Sequence, residues 1–288
     1  MRAAVFGVAL TSLALVLAAS ATGTPSEPAQ SGSCAKANLN LVKDGQLSLA
    51  TDNPAFPPWW GGAAKKPWQV SNPASGKGYE SAVAYAVAKQ LGFSKVQVTW
   101  TAVPFNNSFR PGKKPFDFYM AQVSYSPDRA KNVGFSNSYY YVNQAVVANA
   151  GTAISRVTTV AGLRPYKLGA QVGTTSYDYI AKIIRPSQSP AVYDSNNDAI
   201  SALDAGQIDG IVVDLPTAFF VVAVQLDDGT IVGKLPQRGA REQFGMVFQK
   251  GNSLVRCVNR ALNRLWANGT IKGLQRKYLA QAGAPDLK

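Results

Sequence analysis

Histidine is missing from the whole 288-residue sequence. Its absence excludes the Ser-His-Asp and Cys-His relays of hydrolytic enzymes and most catalytic zinc sites, because each of these needs an imidazole. Cysteine is also scarce, with two residues in the chain, so a metal site built from several cysteines is excluded as well. The sequence therefore predicts no bound metal and no cofactor.

Long apolar runs are scarce too, and the one long run occupies residues 1–21. It begins with one positive charge, Arg2, and ends in Ala19-Ser20-Ala21, a pattern that fits cleavage by signal peptidase. The run is shorter than the roughly 20 apolar residues that a membrane span needs, and no charged stop-transfer flank follows it. We therefore interpret residues 1–21 as a removed signal peptide and expect an exported protein in the periplasm, outside the cell or at the cell surface.

The two cysteines, Cys34 and Cys257, stand near the two ends of the expected mature chain. An even number of cysteines in an exported protein suggests one disulfide. Such a bridge would close a long loop, for which the chain-entropy model gives an upper estimate of about 5 kcal/mol of stabilisation. The alternative is that Cys34 is a lipidated N-terminal cysteine. Residues 31–33, Ser-Gly-Ser, lack the leucine that usually precedes such a site, so we favour the disulfide.

Acidic residues are outnumbered by basic ones. Removal of residues 1–21 takes away only Arg2 among the charged residues, which leaves 28 Lys and Arg, 16 Asp and Glu, and a net charge of +12. The basic residues are spread along the chain, and their densest groups, at 65–66, 110–114 and 256–264, are not joined to a recognisable nucleic-acid motif. We interpret this charge as a solvated basic surface and expect no nucleic acid partner.

Strand and helix patterns alternate along most of the chain. Alternating apolar residues predict strands at 45–52, 95–103 and 116–123, and helical spacing predicts a helix at 79–92. A second set of alternations begins with a strand at 167–172. This order predicts an α/β protein of two units, with parallel sheets and helices on both faces.

The closing pattern, one strand and two amphipathic helices, has no partner unit of its own. We therefore expect the chain to return to the first unit through two connecting segments, near 143–147 and 239–245. The predicted organisation is a signal peptide at 1–21, a linker and N-terminal segment at 22–44, a first lobe at 45–145, a second lobe at 146–240, and a return to the first lobe at 241–288.

Polar residues stand where the predicted strands end, and ligands of open α/β sheets collect at the carboxyl ends of strands. Arg129 can hold a carboxylate through two parallel hydrogen bonds, the Gly-Thr-Thr turn at 173–175 offers N–H groups at a helix N-terminus, and Asp214 can accept from an ammonium. Their ordinary roles are a surface ion pair, a helix cap and a turn. Their combination favours a zwitterion held between two closing lobes. Further candidates are Asp52, Gln122, Ser124 and Phe105, the last equally suited to a core.

Six segments resemble the extracellular solute-binding proteins of polar-amino-acid ABC transporters, the bacterial family 3 type. The resemblance runs from about Gly45 to Leu279, and the signature around Arg129 is specific in combination with the GTTS turn. It implies a two-lobed periplasmic-binding-protein fold of type II with two hinge-connecting strands. The matching segments are ATDNPAFPP (50–58), GYESAVAYAVAKQLG (78–92), QVSYSPDRAKNVGFSNSYY (122–140), VGTTSYDY (172–179), LDAGQIDGIVVDLP (203–216) and VNRALNRLWANGTIKGLQRKYL (258–279).

The resemblance also implies a role for each candidate. Arg129, the Thr175 backbone and Ser124 would hold the α-carboxylate of an amino acid. Asp214 and the Gln122 carbonyl would hold its α-ammonium. The residues at positions where family members contact the ligand side chain are Asp52, Phe105 and Gln171, and Thr174 belongs to the turn that precedes Thr175.

Four departures from the family pattern bear on specificity: Ser126 replaces the usual threonine, Glu80 replaces the usual aspartate, Ala55-Phe56 displaces the common aromatic by one residue, and the loop at 59–77 is longer than usual. Asp52 disfavours an acidic ligand, because two carboxylates buried together repel each other. We therefore predict a monomeric binding protein that captures a polar L-amino acid, with glutamine or a basic amino acid favoured, and presents it to an ABC transporter permease. The alternative is an enzyme on the same fold, a cyclohexadienyl or arogenate dehydratase, which would need a general acid.

Overall fold

The computed structural model describes residue 1, residues 34–279 and residues 283–288. The predicted signal peptide and the linker up to residue 33 therefore lie outside the described residues, except for Met1. Residues Cys34–Lys288 form one compact unit that contains two five-stranded sheets. In the described part of the chain, no helix is long and apolar enough to cross a membrane.

The first sheet has an interior strand, LSLAT at Leu47–Thr51, that is buried on both faces, as expected for its apolar sequence. The strand order is β2-β1-β3-β12-β4. Strands β2 and β3 run parallel to β1, whereas β12 runs antiparallel to β3 and β4. The sheet is therefore mixed, where the sequence predicted a parallel one. Its strands are β1 Leu47–Thr51, β2 Val98–Ala102, β3 Phe118–Tyr119, β4 Val133–Phe135 and β12 Val247–Gln249.

Three helices pack against one another over this sheet and bury one core with it. Apolar residues at helical spacing account for the packing, with Val83, Ala84 and Val87 buried on the first of these helices, and Val258 and Leu262 on the second. The three are α1 Tyr79–Gln90, α7 Leu254–Ala267 and α8 Thr270–Leu279, and two short helices, α2 Phe105–Ser108 and α3 Pro127–Asn132, follow strands of the same sheet.

The second sheet has the order β10-β6-β9-β7-β8 and separates two apolar clusters. Strands β7, β8 and β9 are parallel, while β6 is antiparallel to both β9 and β10. Its strands are β6 Gln144–Asn149, β7 Leu168–Gln171, β8 Ala191–Tyr193, β9 Gly210–Asp214 and β10 Gly229–Lys234. Its helices are α4 Thr175–Tyr179, α5 Asn196–Asp204 and α6 Leu215–Phe220, and α4 and α6 continue as π-helices at Ile180–Ile184 and Val221–Gln225.

The chain passes from one sheet to the other in two adjacent segments. Strand β5, Tyr140–Tyr141, pairs antiparallel with β11, Gln243–Phe244, and β5 leads directly into β6 of the second sheet. On the return, β11 is followed by β12 of the first sheet. The predicted architecture, two α/β lobes joined by two connecting strands, is present. The limits predicted for each lobe stay a prediction.

The C-terminal tail, residues 283–288, lies on the second sheet rather than the first. Asp286 forms a parallel bridge with Lys234, and the Lys234 ammonium lies 2.8 Å from the Asp286 carboxylate. Leu287 is buried in an apolar cluster of the second sheet. The tail therefore lies beside β10, because one buried leucine and this pairing hold it there.

The predicted disulfide is present and joins Cys34 to Cys257 on the buried side of α7, with an S–S distance of 2.02 Å. The bridge ties the N-terminal segment to the helical layer of the first sheet. That segment is also held by the Lys36 ammonium, which donates to Gln97 Oε1 at 2.7 Å.

Candidate functional site

One cavity lies between the two sheets, at the ends of β1, β7 and β9, and it is lined by side chains from both lobes. All nine residues named from the sequence line it. They are Asp52, Phe105, Gln122, Ser124, Arg129, Gln171, Thr174, Thr175 and Asp214. The structure brings the set together, and their contacts with a ligand stay a prediction.

Arg129 is held by the short helix that the opening of its motif encodes. The Ser126 hydroxyl accepts from the Arg129 N–H at 3.2 Å, and Pro127 occupies the first helical position. The guanidinium donates from Nη1 to the Ser124 carbonyl at 2.6 Å and from Nη2 to the Gly173 carbonyl at 2.7 Å. Arg129 therefore links the first lobe to the second and does not make the surface ion pair considered as its ordinary role.

The guanidinium of Arg129 also packs against aromatic rings. Its Cζ lies 5.6 Å from the Phe105 ring centroid and 4.7 Å from that of Phe109, within cation–π range. Burial lowers the pKa of Arg129, although the acids Glu242, Asp178 and Asp214 oppose this shift. The residue stays charged, because even a lowered guanidinium pKa lies far above neutral pH.

The turn before α4 needs its glycine. Gly173 has φ +74°, and a Cβ placed there would lie 2.3 Å from Asn106 Oδ1 of the first lobe. The Thr174 hydroxyl accepts from the Tyr177 N–H at 3.1 Å and donates to the Gln171 carbonyl at 2.7 Å. The side chain of Thr174 is thus used to cap α4, so we expect this turn to contribute backbone N–H groups to the cavity.

The two acids of the cavity are both difficult to ionise. Burial raises the pKa of Asp214 well above its usual range, and the nearby Glu242 raises it further, while the hydrogen bond from Gln144 Nε2 at 2.8 Å lowers it. Burial also raises the pKa of Asp52, although backbone N–H groups of Asn53 and Phe105 oppose the rise. A cation placed against these carboxylates would favour their charged forms.

Glu80 and Gln122 form a buried pair beside the cavity. Gln122 has φ +51°, an uncommon value for a residue other than glycine. Its N–H donates to Glu80 Oε1 at 2.7 Å, its side-chain amide donates to Glu80 Oε2, and the Tyr139 hydroxyl donates to Glu80 Oε1. Glu80 therefore fixes the backbone at Gln122, where the family resemblance implies a ligand contact through the carbonyl.

Burial raises the pKa of Glu80 from 4.5 to about 7, and this shift predicts a pH-dependent stability. Because the folded-state pKa is the higher one, stability is full below about pH 4.5 and is lost as the pH rises through about 7, by about 3 kcal/mol. We expect Glu80→Gln to remove this loss, since the Gln122 amide can turn over to meet the new amide. The measurement is chemical unfolding of both proteins from pH 4.5 to 8. A difference between them that does not change with pH would contradict the assignment.

Several residues at the cavity were not identified from the sequence. Trp59 and Trp60 line it, and Trp59 Nε1 donates to Thr217 Oγ1 of the second lobe at 2.9 Å. Gln144 and Glu242 lie in or beside the connecting segments. Gln144 donates to Asp214, and Glu242 accepts from Thr175, so both contact residues that line the cavity. A tryptophan pair in an unusually long loop was a signal for the first two, whereas nothing in the local sequence marks Gln144 or Glu242.

Comparison with known proteins identifies the family. The model of the bacterial extracellular solute-binding proteins, family 3, matches residues 62–281, which is most of the chain. The chain belongs to this family. The family 3 resemblance inferred from the motifs is therefore confirmed.

Relatives within family 3 and solved structures agree with this assignment. The L-arginine-binding protein of Pseudomonas aeruginosa is 28% identical over 235 residues, which cover 76% of this chain and 85% of that protein. An ancestral arginine-binding protein bound to arginine superposes with a TM-score of 0.66 at 26% identity, covering 82% of this chain and 99% of that one. The ancestral amino acid-binding protein AncCDT-1, a precursor of cyclohexadienyl dehydratase, gives a TM-score of 0.66 at 25% identity, covering 82% and 96%.

Proposed function

We propose that this family 3 protein captures a basic L-amino acid between its lobes, outside the cytoplasm, and delivers it as a monomer to an ABC transporter permease. L-Arginine is the ligand we favour, and L-glutamine is the second choice. The observation that carries the proposal is the charge of the cavity lining. Among the described residues, the charged side chains that line it are Arg129, Asp52 and Asp214.

These three charges match a ligand with three charged groups. Arg129 complements an α-carboxylate, and Asp214 complements an α-ammonium. Asp52 then remains for a second cation on the ligand side chain. A neutral side chain would leave the buried carboxyl of Asp52 without a charged partner, and an acidic side chain would repel it, because burial already disfavours the charge of this group. The order expected is therefore basic above neutral above acidic amino acids.

Aromatic side chains give the cavity a surface for a planar cation. Phe56, Trp59, Trp60 and Phe220 line it together with Phe105. A guanidinium can stack on such rings and keep its edge free for hydrogen bonds, which an ammonium does less well. The names of the arginine-binding relative and neighbour support the same choice.

A thermal-shift screen of the twenty amino acids tests the proposal. A ligand at about a hundred times its Kd stabilises the folded protein by roughly 2.7 kcal/mol, which is a visible shift of the melting midpoint. We expect L-arginine to give the largest shift, L-lysine and L-glutamine smaller ones, and L-glutamate none. No shift with any amino acid would reject the ligand class. The enzyme alternative is checked in the same samples, by looking for turnover of arogenate.

A further inference from the structure

Glu242 stands immediately before β11, where the chain returns to the first lobe. Its carboxylate accepts from the Ser124 hydroxyl at 2.5 Å and from the Thr175 hydroxyl at 2.6 Å, both on Oε1. Ser124 belongs to the first lobe and Thr175 to the second. Glu242 lines a second cavity behind these two residues, together with Gln144. The half-buried Glu242 carboxylate thus joins both lobes and the connecting segment.

The hydroxyl groups of Ser124 and Thr175 are oriented by this contact. Each donates its proton to Glu242, so each offers a lone pair, not a proton, to the ligand cavity. A carboxylate in that cavity must then be held by Arg129 and by backbone N–H groups. Glu242 acts on the cavity through these neighbours and is a positioning residue.

Glu242 also shares a single donor with Asp214. Gln144 Nε2 lies 2.8 Å from Asp214 Oδ1 and 3.1 Å from each oxygen of Glu242. The Ser176 hydroxyl donates to Gln144 Oε1 at 2.7 Å, which directs the amide nitrogen toward both acids. Two carboxylates converging on one neutral amide repel each other unless a proton or a cation lies between them.

Across the residues that the structure describes, no lysine or arginine forms a salt bridge with Asp214 or Glu242, and Arg129 attracts both acids without pairing with either. Arg129 directs both terminal nitrogens at backbone carbonyls, and Lys182 pairs with Asp178 on the surface at 2.9 Å. The rise in the pKa of Asp214, caused by burial and then by Glu242, agrees with this geometry. The titratable and charged groups that face the pair from the surrounding elements are Glu80, Arg129, Tyr139, Tyr140, Asp178, Lys182, Arg238 and Arg241.

We propose that Asp214 is protonated when no ligand is bound, because the Glu242 carboxylate converges with it on Gln144, and that the ammonium group of the ligand takes the place of this proton, so that capture releases it to the solvent. The proposal rests on the proposed function, since it takes the ligand to be an amino acid whose ammonium meets Asp214. Its consequence is that affinity rises with pH through the titration of Asp214, by up to about tenfold per pH unit.

The first experiment needs no ligand. Carboxyl carbon NMR of protein labelled at Asp and Glu is recorded from pH 4 to 8, for the wild type and for Glu242→Gln. We expect the wild type to show a carboxyl titration above the usual range that moves down in the variant, because Asp214 loses its charged neighbour. Identical titrations in the two proteins would overturn the role of Glu242 in keeping Asp214 protonated.

The second experiment counts protons on binding. Calorimetric titration with L-arginine at pH 6, in buffers of different ionisation enthalpy, is expected to give release of up to one proton in the wild type and a smaller release in Glu242→Gln, where burial alone still raises the pKa of Asp214. Asp178→Asn is the matched control, an exposed acid of the same second cavity, and should behave as the wild type. Equal release in wild type and Glu242→Gln would refute the coupling. If wild-type protein binds no amino acid, the proposed function fails, and the NMR titration still decides whether Asp214 is protonated without ligand.

Discussion

Replacing Arg129 by alanine is expected to weaken L-arginine binding by at least about 100-fold, or about 2.7 kcal/mol, because a buried charge-assisted pair is lost. The variant also loses both hydrogen bonds that join the Ser124 and Gly173 carbonyls of opposite lobes. Two carbonyls and a ligand carboxylate then lack their shared donor. The measurement is the Kd by calorimetry, with the thermal-shift response as a second readout.

The same helix supplies a control for this prediction. Lys131 lies two residues after Arg129 and forms an exposed ion pair with Asp128, at 2.7 Å. An exposed pair contributes little, so Lys131→Ala should bind within about twofold of the wild type. Arg129→Lys is expected to bind weakly as well, because an ammonium cannot reach both carbonyls and a carboxylate in one plane. Wild-type affinity in Arg129→Ala would show that the carboxylate is held elsewhere.

The positions of the predicted site residues followed from local sequence. A strand that ends in Asp52 or Asp214, and a serine-capped helix that carries Arg129, are readable because strand ends and caps are encoded within a few residues. Because ligands of open α/β sheets bind at the ends of strands, these residues from distant segments were predicted to line one cavity. The signature around Arg129 indicated which of the many arginines belongs to the site. Net charge alone could not distinguish one arginine from another.

The directions and lengths of strands were less readable. Alternating apolar residues give no direction, so β6 and β12, which enter their sheets from the connecting segments, were expected to be parallel and are antiparallel. The strand predicted at 116–123 is only Phe118–Tyr119, because the backbone turns into the left-handed region at Gln122. That turn depends on a contact with Glu80, 42 positions earlier in the chain.

The buried acids were the least predictable part of the site. Glu242 meets Ser124 and Thr175 across separations of 118 and 67 residues, and the contact with Ser124 depends on backbone pairing between distant segments, the Ser124–Phe244 bridge and the pairing of β5 with β11. No local pattern distinguishes such a glutamate from one on the surface. The proposed pH dependence of binding rests on this position of Glu242 beside Asp214.

The second large effect concerns the disulfide. The double variant Cys34→Ser/Cys257→Ala is expected to lower the free energy of unfolding by up to about 5 kcal/mol, because the bridge spans 223 positions and removing it frees a long loop in the unfolded chain. The N-terminal segment keeps other anchors in the folded state, among them the Val42 N–H, which donates to Asp117 Oδ1 at 2.7 Å. The variant therefore keeps most native contacts. Its lower free energy of unfolding comes from the greater conformational entropy of the unfolded chain.

Denaturant unfolding of the wild type with and without a reducing agent checks this prediction against the double variant. Reduced wild type and the variant should coincide, and the oxidised protein should unfold at a higher midpoint; equal midpoints for all three would contradict it. In the described part of the chain neither cysteine lines the ligand cavity. The Kd for L-arginine of the folded variant should therefore stay within about twofold of the wild type, in contrast to Arg129→Ala, which changes binding at a residue joining the lobes. Stability and capture thus depend on different parts of the first lobe, because the bridge acts behind α7 and the guanidinium acts between the sheets.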